Sequence, residues 1–294
     1  MKYKKSLGEK VFDTCNYLFL ILLVIITLYP CWYVLVASVS DPVEVFASKG
    51  LLLLPKGFSL ASYKEVIKFE RIWIGYRNTL FYVFVGGGLS VLLTIVTAFC
   101  LTRKGLPGQK FLMFAILLTM YFSGGMIPLY LLVKNLGMLN TVWAILLPGA
   151  IGVGNLIMTI SYFRGLPDAL EEAAKIDGAS DYTVLFRIFI PLAKPIIAVI
   201  ALYYMVDRWN AFMDALIYLQ QRRDLHPLQL VLREILIQNE TTQISGTVSA
   251  GNAQAYSESM KYAAVVVSTI PIMCIYPFIQ KYFVKGVTIG AIKG

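Results

Sequence analysis

An all-α membrane protein that crosses the bilayer six times is the fold class this sequence predicts, and three observations carry it. The 294-residue chain is 58% hydrophobic, with a mean hydropathy of +0.70. Its apolar residues fall in runs of bilayer length rather than in the short periodic stripes of a soluble core. Polar loops carrying most of the lysine and arginine separate those runs. A crossing needs about 20 residues at about 1.5 Å each. Six runs qualify, roughly 14–38, 78–102, 111–133, 142–163, 192–219 and 262–283. They predict a first part over 1–77, a five-span core over 78–283 and a tail over 284–294.

The first run is too long for a signal-peptide core, and Ala37-Ser38 makes a poor cleavage site, so it is expected to remain as a span. Loop 39–77 mixes charges with aromatics. Gly86-Gly87-Gly88 in the second span, Ser123-Gly124-Gly125 in the third and Gly149, Gly152 and Gly154 in the fourth remove bulk where helices cross closely or hinge. Pro128, Pro148, Pro195 and Pro271 are expected to kink or interrupt spans. Loop 220–261 opens with an amphipathic helix pattern, Pro227 to Ile237. It reads either as a cap lying on the membrane or as a docking surface for an extracellular protein.

Positive charge sets the orientation. Lys2, Lys4, Lys5 and Lys10, then Arg103, Lys104 and Lys110, then Arg164, Lys175 and Arg187, then Lys281, Lys285 and Lys293 all fall on one side. That side is read as the cytoplasm, with both termini on it. Loops 39–77 and 220–261 also carry lysine and arginine, which makes the bias moderate. The net charge of +9 is scattered around membrane ends, which argues against nucleic-acid binding.

Missing chemistry narrows the function. Cys15, Cys31, Cys100 and Cys274 lie in apolar segments with no close pair and are expected to be buried packing residues. His226 is the only histidine, so neither a zinc site nor histidine-dependent catalysis is supported. No glycine-rich phosphate loop ending in Gly-Lys-Ser/Thr is present, so ATP-driven work would need a separate ATPase.

The loop over 164–191 is the most informative segment. Asp168 and Glu171 form a capping-box pattern that predicts a short helix to Asp177, closed at Gly178. Ala169, Leu170, Ala173, Ala174 and Ile176 make its apolar face, with Glu171, Glu172 and Lys175 opposite. A second short helix carries Val184, Leu185, Ile188 and Phe189 and is expected to stop at Pro191. The two should meet at a bend where Gly178 adopts positive φ.

Glu172-Ala173-Ala174, Gly178 and Ile188-x-Ile190-Pro191 resemble the EAA loop of ABC importer permeases, with Ile190 where leucine is commoner. Met126 to Asn140, Lys175 to Ser180 with Asp177 inside it, Tyr218-Leu219, Pro227 to Ile235 and Tyr276 to Gly286 extend the resemblance over nearly the whole chain. It points to the second permease of binding-protein-dependent sugar importers of the LplC/YtcP-like branch. The resemblance implies a type I importer fold and a homologous but non-identical permease. It also implies two ATPase subunits that bind ATP and Mg, and a solute-binding lipoprotein in a Gram-positive cell membrane. No cofactor is implied in this chain, and the tail, Lys285 to Gly294, is implied to touch the ATPases. The branch is associated with oligosaccharides from complex polysaccharides, some of them acidic. The readings left beside it are a secondary transporter or channel without an ATPase, and a membrane-embedded enzyme.

The fifth span is the one with charges well inside it. Tyr203, Asp207, Asn210 and Asp214 recur at spacings of four, three and four, a polar stripe suited to lining a sugar path. Trp209 could stack on a pyranose ring. Arg208 lies roughly 21 Å along the helix from Lys194, too deep for an interfacial anchor. It needs a polar partner, either an anionic cargo held bidentately or a carboxylate of the second permease.

Overall fold

The computed structural model describes residues 6–48, 50–103, 105–238 and 253–291, with side chains from 255 to 274 in the last stretch. Lys2, Lys4, Lys5, Lys49, Lys104, the stretch 239–252 and Lys293-Gly294 lie outside the described residues, as do the side chains of 275–291. Among the described residues every regular element is helical, and one isolated bridge joins Ser40 to Phe58.

Helix α1 (Leu7–Ser38) begins at a capping box in which Ser6 Oγ accepts from Glu9 N–H and Glu9 Oε2 accepts from Ser6 N–H. Among the described residues most of its long apolar surface is exposed, and its buried residues are Val36, Ala37 and Ser38 at its end. The chain then groups into two compact units, Met1–Glu70 with Leu232–Pro271, and Arg71–Val231 with Ile272–Gly294. The first division therefore falls at Glu70, inside the part expected to run to 77. Helix formation from Glu70 onward carries residues 71–77 into the second unit.

In the first unit, Asp41 caps α2 (Pro42–Ala47) by accepting from Val43 and Glu44 N–H. α3 (Ala61–Lys68) completes the connection, its Tyr63 hydroxyl 2.8 Å from Ser38 Oγ and its Ser62 Oγ 2.6 Å from Ser259 Oγ. Val36, Ala37, Val45 and Leu52 form the small core there, flanked by Tyr33 and Tyr262.

The second unit is built on one long helix. α4 (Glu70–Phe81), a π-helical segment (Tyr82–Gly86) and α5 (Gly87–Thr102) run on without a break over 33 residues. Gly86 has a packing role: a Cβ there would come within 2.9 Å of Leu146 and 3.7 Å of Arg208. The next expected span is bent, α6 (Gln109–Tyr121) and α7 (Met126–Asn135) meeting at 119° across Ser123-Gly124-Gly125. The fourth is split into α8 (Trp143–Leu146) and α9 (Val153–Arg164), since Pro148 cannot donate to a continuing ladder.

Then follow α10 (Asp168–Ile176), α11 (Asp181–Val184), a π-helical segment (Leu185–Phe189) and α12 (Ile190–Leu192). α13 (Lys194–Asn210) leaves that arm at 83°, and α14 (Met213–Tyr218) continues it past a break at Ala211-Phe212. A 3-10 turn (Arg223–Leu225), α15 (Leu228–Gln238) and α16 (Ala253–Ala291) complete the order. α5, α9 and α13 share a core of Ile95, Ala98, Phe99, Leu156, Ile160, Val199 and Ile200, among others.

By length and composition, two helices among the described residues are uninterrupted candidate spans, α1 and the 70–102 helix; counting each bent pair as one span gives four. Four of the six runs counted in the sequence are thus candidate spans, two of them bent, and the run at 142–163 is broken into α8 and α9. Such breaks are tolerated at membrane depth only where protein groups satisfy the freed backbone. The four cysteines, expected to be buried, are exposed on helix surfaces of the single chain and free of disulfides.

Candidate functional site

The 164–191 segment folds as two short helices joined at Gly178, with different anchoring from that expected. Gly178 has φ +76°. Its N–H donates to Lys175 O at 3.1 Å, and Ala179 N–H reaches back to Ala174 O at 2.9 Å. This is the Schellman pattern, and its left-handed residue falls at Gly178 because no Cβ opposes it there. Ala174 and Ala179 make the accompanying apolar contact and pack on the core of the second unit. Ser180 Oγ then accepts from Thr183 N–H, opening α11.

Two expectations for this loop are corrected. Asp168 is not the N-cap: Pro167 occupies that position without a side-chain bond, so no capping box forms. Glu171 turns instead to Arg103 and to Lys175 Nζ, the latter at 2.8 Å. Nor does Pro191 stop the second helix, which continues through Leu192 and turns at Ala193. Pro191 sits at the first turn of α12, just after the π-helical segment, where its missing N–H is tolerated.

Burial sorts the loop's faces. Glu171 and Ala174 face inward, whereas Glu172, Ala173, Ile176 and Asp177 are exposed. Ile188 is half-buried against the core and Pro191 is exposed. Leu170, Ile176, Tyr182 and Phe186 present an apolar surface away from the protein, Ile176 at 86% and Tyr182 at 79% exposure.

Arg103, which entered the sequence argument only as one positive charge among many, anchors the bend. It caps the end of α5 with Nε donating to Phe99 O at 3.3 Å. Its guanidinium lies 4.1 Å from the Phe99 ring centre and 4.8 Å from that of Phe189, and it pairs with Glu171. Burial pushes the Glu171 carboxyl up, but hydrogen bonds from Lys175 and Arg103 outweigh it and hold the group below its ordinary value.

The fifth-span residues divide between two faces of α13. Asp207 and Asn210 are exposed and Tyr203 half-exposed on one side of α13, whereas Asp214, expected on the same stripe, lies beyond the break at Ala211-Phe212 on α14 and is half-buried. Arg208 faces the other way. It is 6% exposed and donates to the carbonyls of Ile145 and Leu146, the latter at 3.2 Å. Within the chain itself, its polar partners are the orphan carbonyls at the end of α8. Trp209 is also buried, edge-on to Tyr76 at 6.4 Å, and is not free to stack on a sugar.

Tyr204, absent from the expected site, completes the clamp on the split fourth span. Its hydroxyl accepts from Gly152 N–H at 2.8 Å and lies 2.7 Å from Thr94 Oγ1. Tyr204 and Arg208 stand four residues apart on one helix face, a signal visible in sequence but unreadable without knowing where the fourth span breaks.

The segment from Asp224 to Leu228 is tied to the rest of the second unit through Asn78, whose amide donates to Asp224 O and His226 O, and through Thr79 Oγ1, which accepts from Leu228 N–H at 2.8 Å. α15 forms where expected, but Leu228, Leu230, Val231, Leu232 and Ile235 are all buried. Through Ile235 it is a buried, packed helix, with Leu236 and Ile237 exposed at its end. His226 is buried, with Nε2 3.1 Å from Leu219 O.

Residues 11–289 match the family described as binding-protein-dependent transport system inner membrane component. This chain belongs to that family. It is accordingly a membrane permease subunit of an ABC importer, not itself an enzyme. Among its relatives is the polygalacturonan/rhamnogalacturonan transport system permease protein YtcP of Bacillus subtilis, 39% identical over 97% of this chain and 99% of its own. Protein LplC of the same organism is 40% identical over 97% and 96%. A bacterial ABC transporter involved in import of the acidic polysaccharide alginate contains a chain of similar fold, with a TM-score of 0.86 and 31% identity over 96% of this chain and all of that one.

Proposed function

We propose that this permease works as one of two non-identical membrane subunits of an ATP-driven importer of oligosaccharides, energised by two separate ATPase subunits that carry ATP and Mg. The observation that supports it best is the outward side of the 164–191 bend. Leu170, Ile176, Tyr182 and Phe186 project from an otherwise polar loop, and Glu172 and Ala173 lie beside them. Apolar surface with so little bulk at Ala173 suits insertion into a groove of another protein. The bend at Gly178 would pass closure of that protein to α13 and on to α14, and so to the side bearing Tyr203, Asp207, Asn210 and Asp214. An extracellular lipid-anchored binding protein would deliver the cargo.

An acidic oligosaccharide is the cargo class we favour. One relative is described as a polygalacturonan/rhamnogalacturonan permease, and the transporter of similar fold as importing an acidic polysaccharide. Isolated from native membrane, the chain should bring an ATPase and a second permease with it. The complex should take up a galacturonate oligosaccharide in preference to its carboxyl-reduced counterpart, and only with ATP. Uptake by this chain alone under an ion gradient would sink the proposal in favour of a secondary transporter.

Orientation belongs to the same reading, with both termini and the 164–191 bend in the cytoplasm of a Gram-positive cell. In a variant lacking the four cysteines, Gln221→Cys should react with an impermeant thiol reagent in intact cells and Ile176→Cys should not. The reverse pattern would put the bend outside, out of reach of any ATPase.

A further inference from the structure

The bend rests on the membrane-embedded part of the protein through an unusual support. A cleft of about 140 Å³, lined by Thr102, Arg103, Phe163, Arg164, Asp168 and Glu171 among others, separates α10 from the ends of α5 and α9. One ion pair crosses it, Arg103 to Glu171, with side chains 16% and 21% exposed. Arg103 is itself held by the Phe99 carbonyl, the Thr102 hydroxyl, the Phe99 ring and the Phe189 ring. Phe189 in turn meets Phe99 and Phe163 edge-on, each at 5.3 Å. Glu171 is equally constrained. Lys175 holds it from the same helix at 2.8 Å and reaches across the bend to Asp181 at 3.9 Å. Both arms of the bend, through Glu171 and Phe189, and the end of α5 thus converge on one guanidinium.

We propose that Arg103 is the positioning residue of the coupling segment: its ion pair with Glu171 is a strut that makes α10 move with the cytoplasmic end of the 70–102 helix. Without it, a push on α10 would be absorbed in the cleft and in rotation about Gly178. A guanidinium suits the task because its planar fork can bond a carboxylate while its face stacks on aromatic rings, which an ammonium cannot do as well. The inference rests on the coupling role proposed above for this loop.

The test uses the whole complex in proteoliposomes with Arg103→Glu, Glu171→Arg and the exchanged double variant, each carrying Asn210→Cys in a cysteine-free background. Reaction of that cysteine with a thiol reagent is compared before and after trapping with ATP and vanadate. With the native pair, trapping should change the labelling rate. Each single reversal should shrink that change by about fivefold or more, and the exchange should restore most of it.

Single reversals that respond like the native pair would overturn the strut while leaving the coupling role intact, as would an assembled double variant no better than the singles. Should the singles fail to assemble, the double variant alone decides: a native response supports the strut, and no response overturns it. No change with the native pair would instead remove the coupling role, and the strut with it.

Discussion

Gly178→Val is expected to leave the chain in the membrane and the complex assembled while abolishing nearly all ATP-driven uptake. Gly178 sits at φ +76°, and a Cβ there would meet nothing within 4 Å. The penalty is therefore purely conformational, about 1–2 kcal/mol for an L-residue in the left-handed region and worse for a β-branched one. The chain can relieve it only by unwinding the Schellman turn, which re-aims α10 against α11. Strain of that size corresponds to about a tenfold rate effect if borne in the coupled step, before any misalignment is counted. Gly178→Asn should retain much of the activity, because asparagine tolerates the same region. Native uptake by the valine variant, with hydrolysis still dependent on cargo, would remove the bend from the coupling path.

The second large effect is expected at Arg208. Arg208→Gln removes the guanidinium that satisfies the Ile145 and Leu146 carbonyls. Losing charge-assisted bonds to buried acceptors costs about 3 kcal/mol or more. Gly86 would be left facing part of the emptied space. The variant complex should lose folded protein on mild heating, and uptake of acidic and neutral oligosaccharides should fall in the same proportion. Tyr204→Phe should show a weaker form of the same defect, of about 1–2 kcal/mol, because Gly152 N–H and Thr94 lose their hydroxyl partner. A selective loss of acidic cargo in Arg208→Gln, with unchanged heat stability, would return Arg208 to the cargo path.

The contrast between Asp207 and Arg208 shows where the sequence argument stopped. Neighbours on a helix point about 100° apart, so one of the two had to face away from the stripe containing Asp207. The spacing of Tyr203, Asp207 and Asn210 was enough to collect one side of α13, but not to show that the helix breaks before Asp214. What waited for Arg208 on the opposite side depended on α8, whose four-residue length no apolar run could announce. Periodicity describes the surface of one helix and says nothing of a backbone carbonyl some 60 residues away in the chain.

By itself the sequence determined the helical, membrane-spanning class, the place and handedness of the Gly178 bend and the kinship of the loop. All three depend on chemistry local in the chain: apolar runs of bilayer length, a glycine where φ must be positive, and the spacing of Glu172-Ala173-Ala174, Gly178 and Ile188-x-Ile190-Pro191. Tertiary structure alone decided that the runs at 111–133 and 142–163 are folded into broken helices, that Glu171 abandons its cap for Arg103, and that Arg208 and Tyr204 hold the split fourth span. Those outcomes are choices between competing partners for one polar group. A carboxylate three residues from a helix start can cap that helix or pair with a cation 68 residues earlier. Only the packing of α5, α9 and α13 brings the second partner close enough to win.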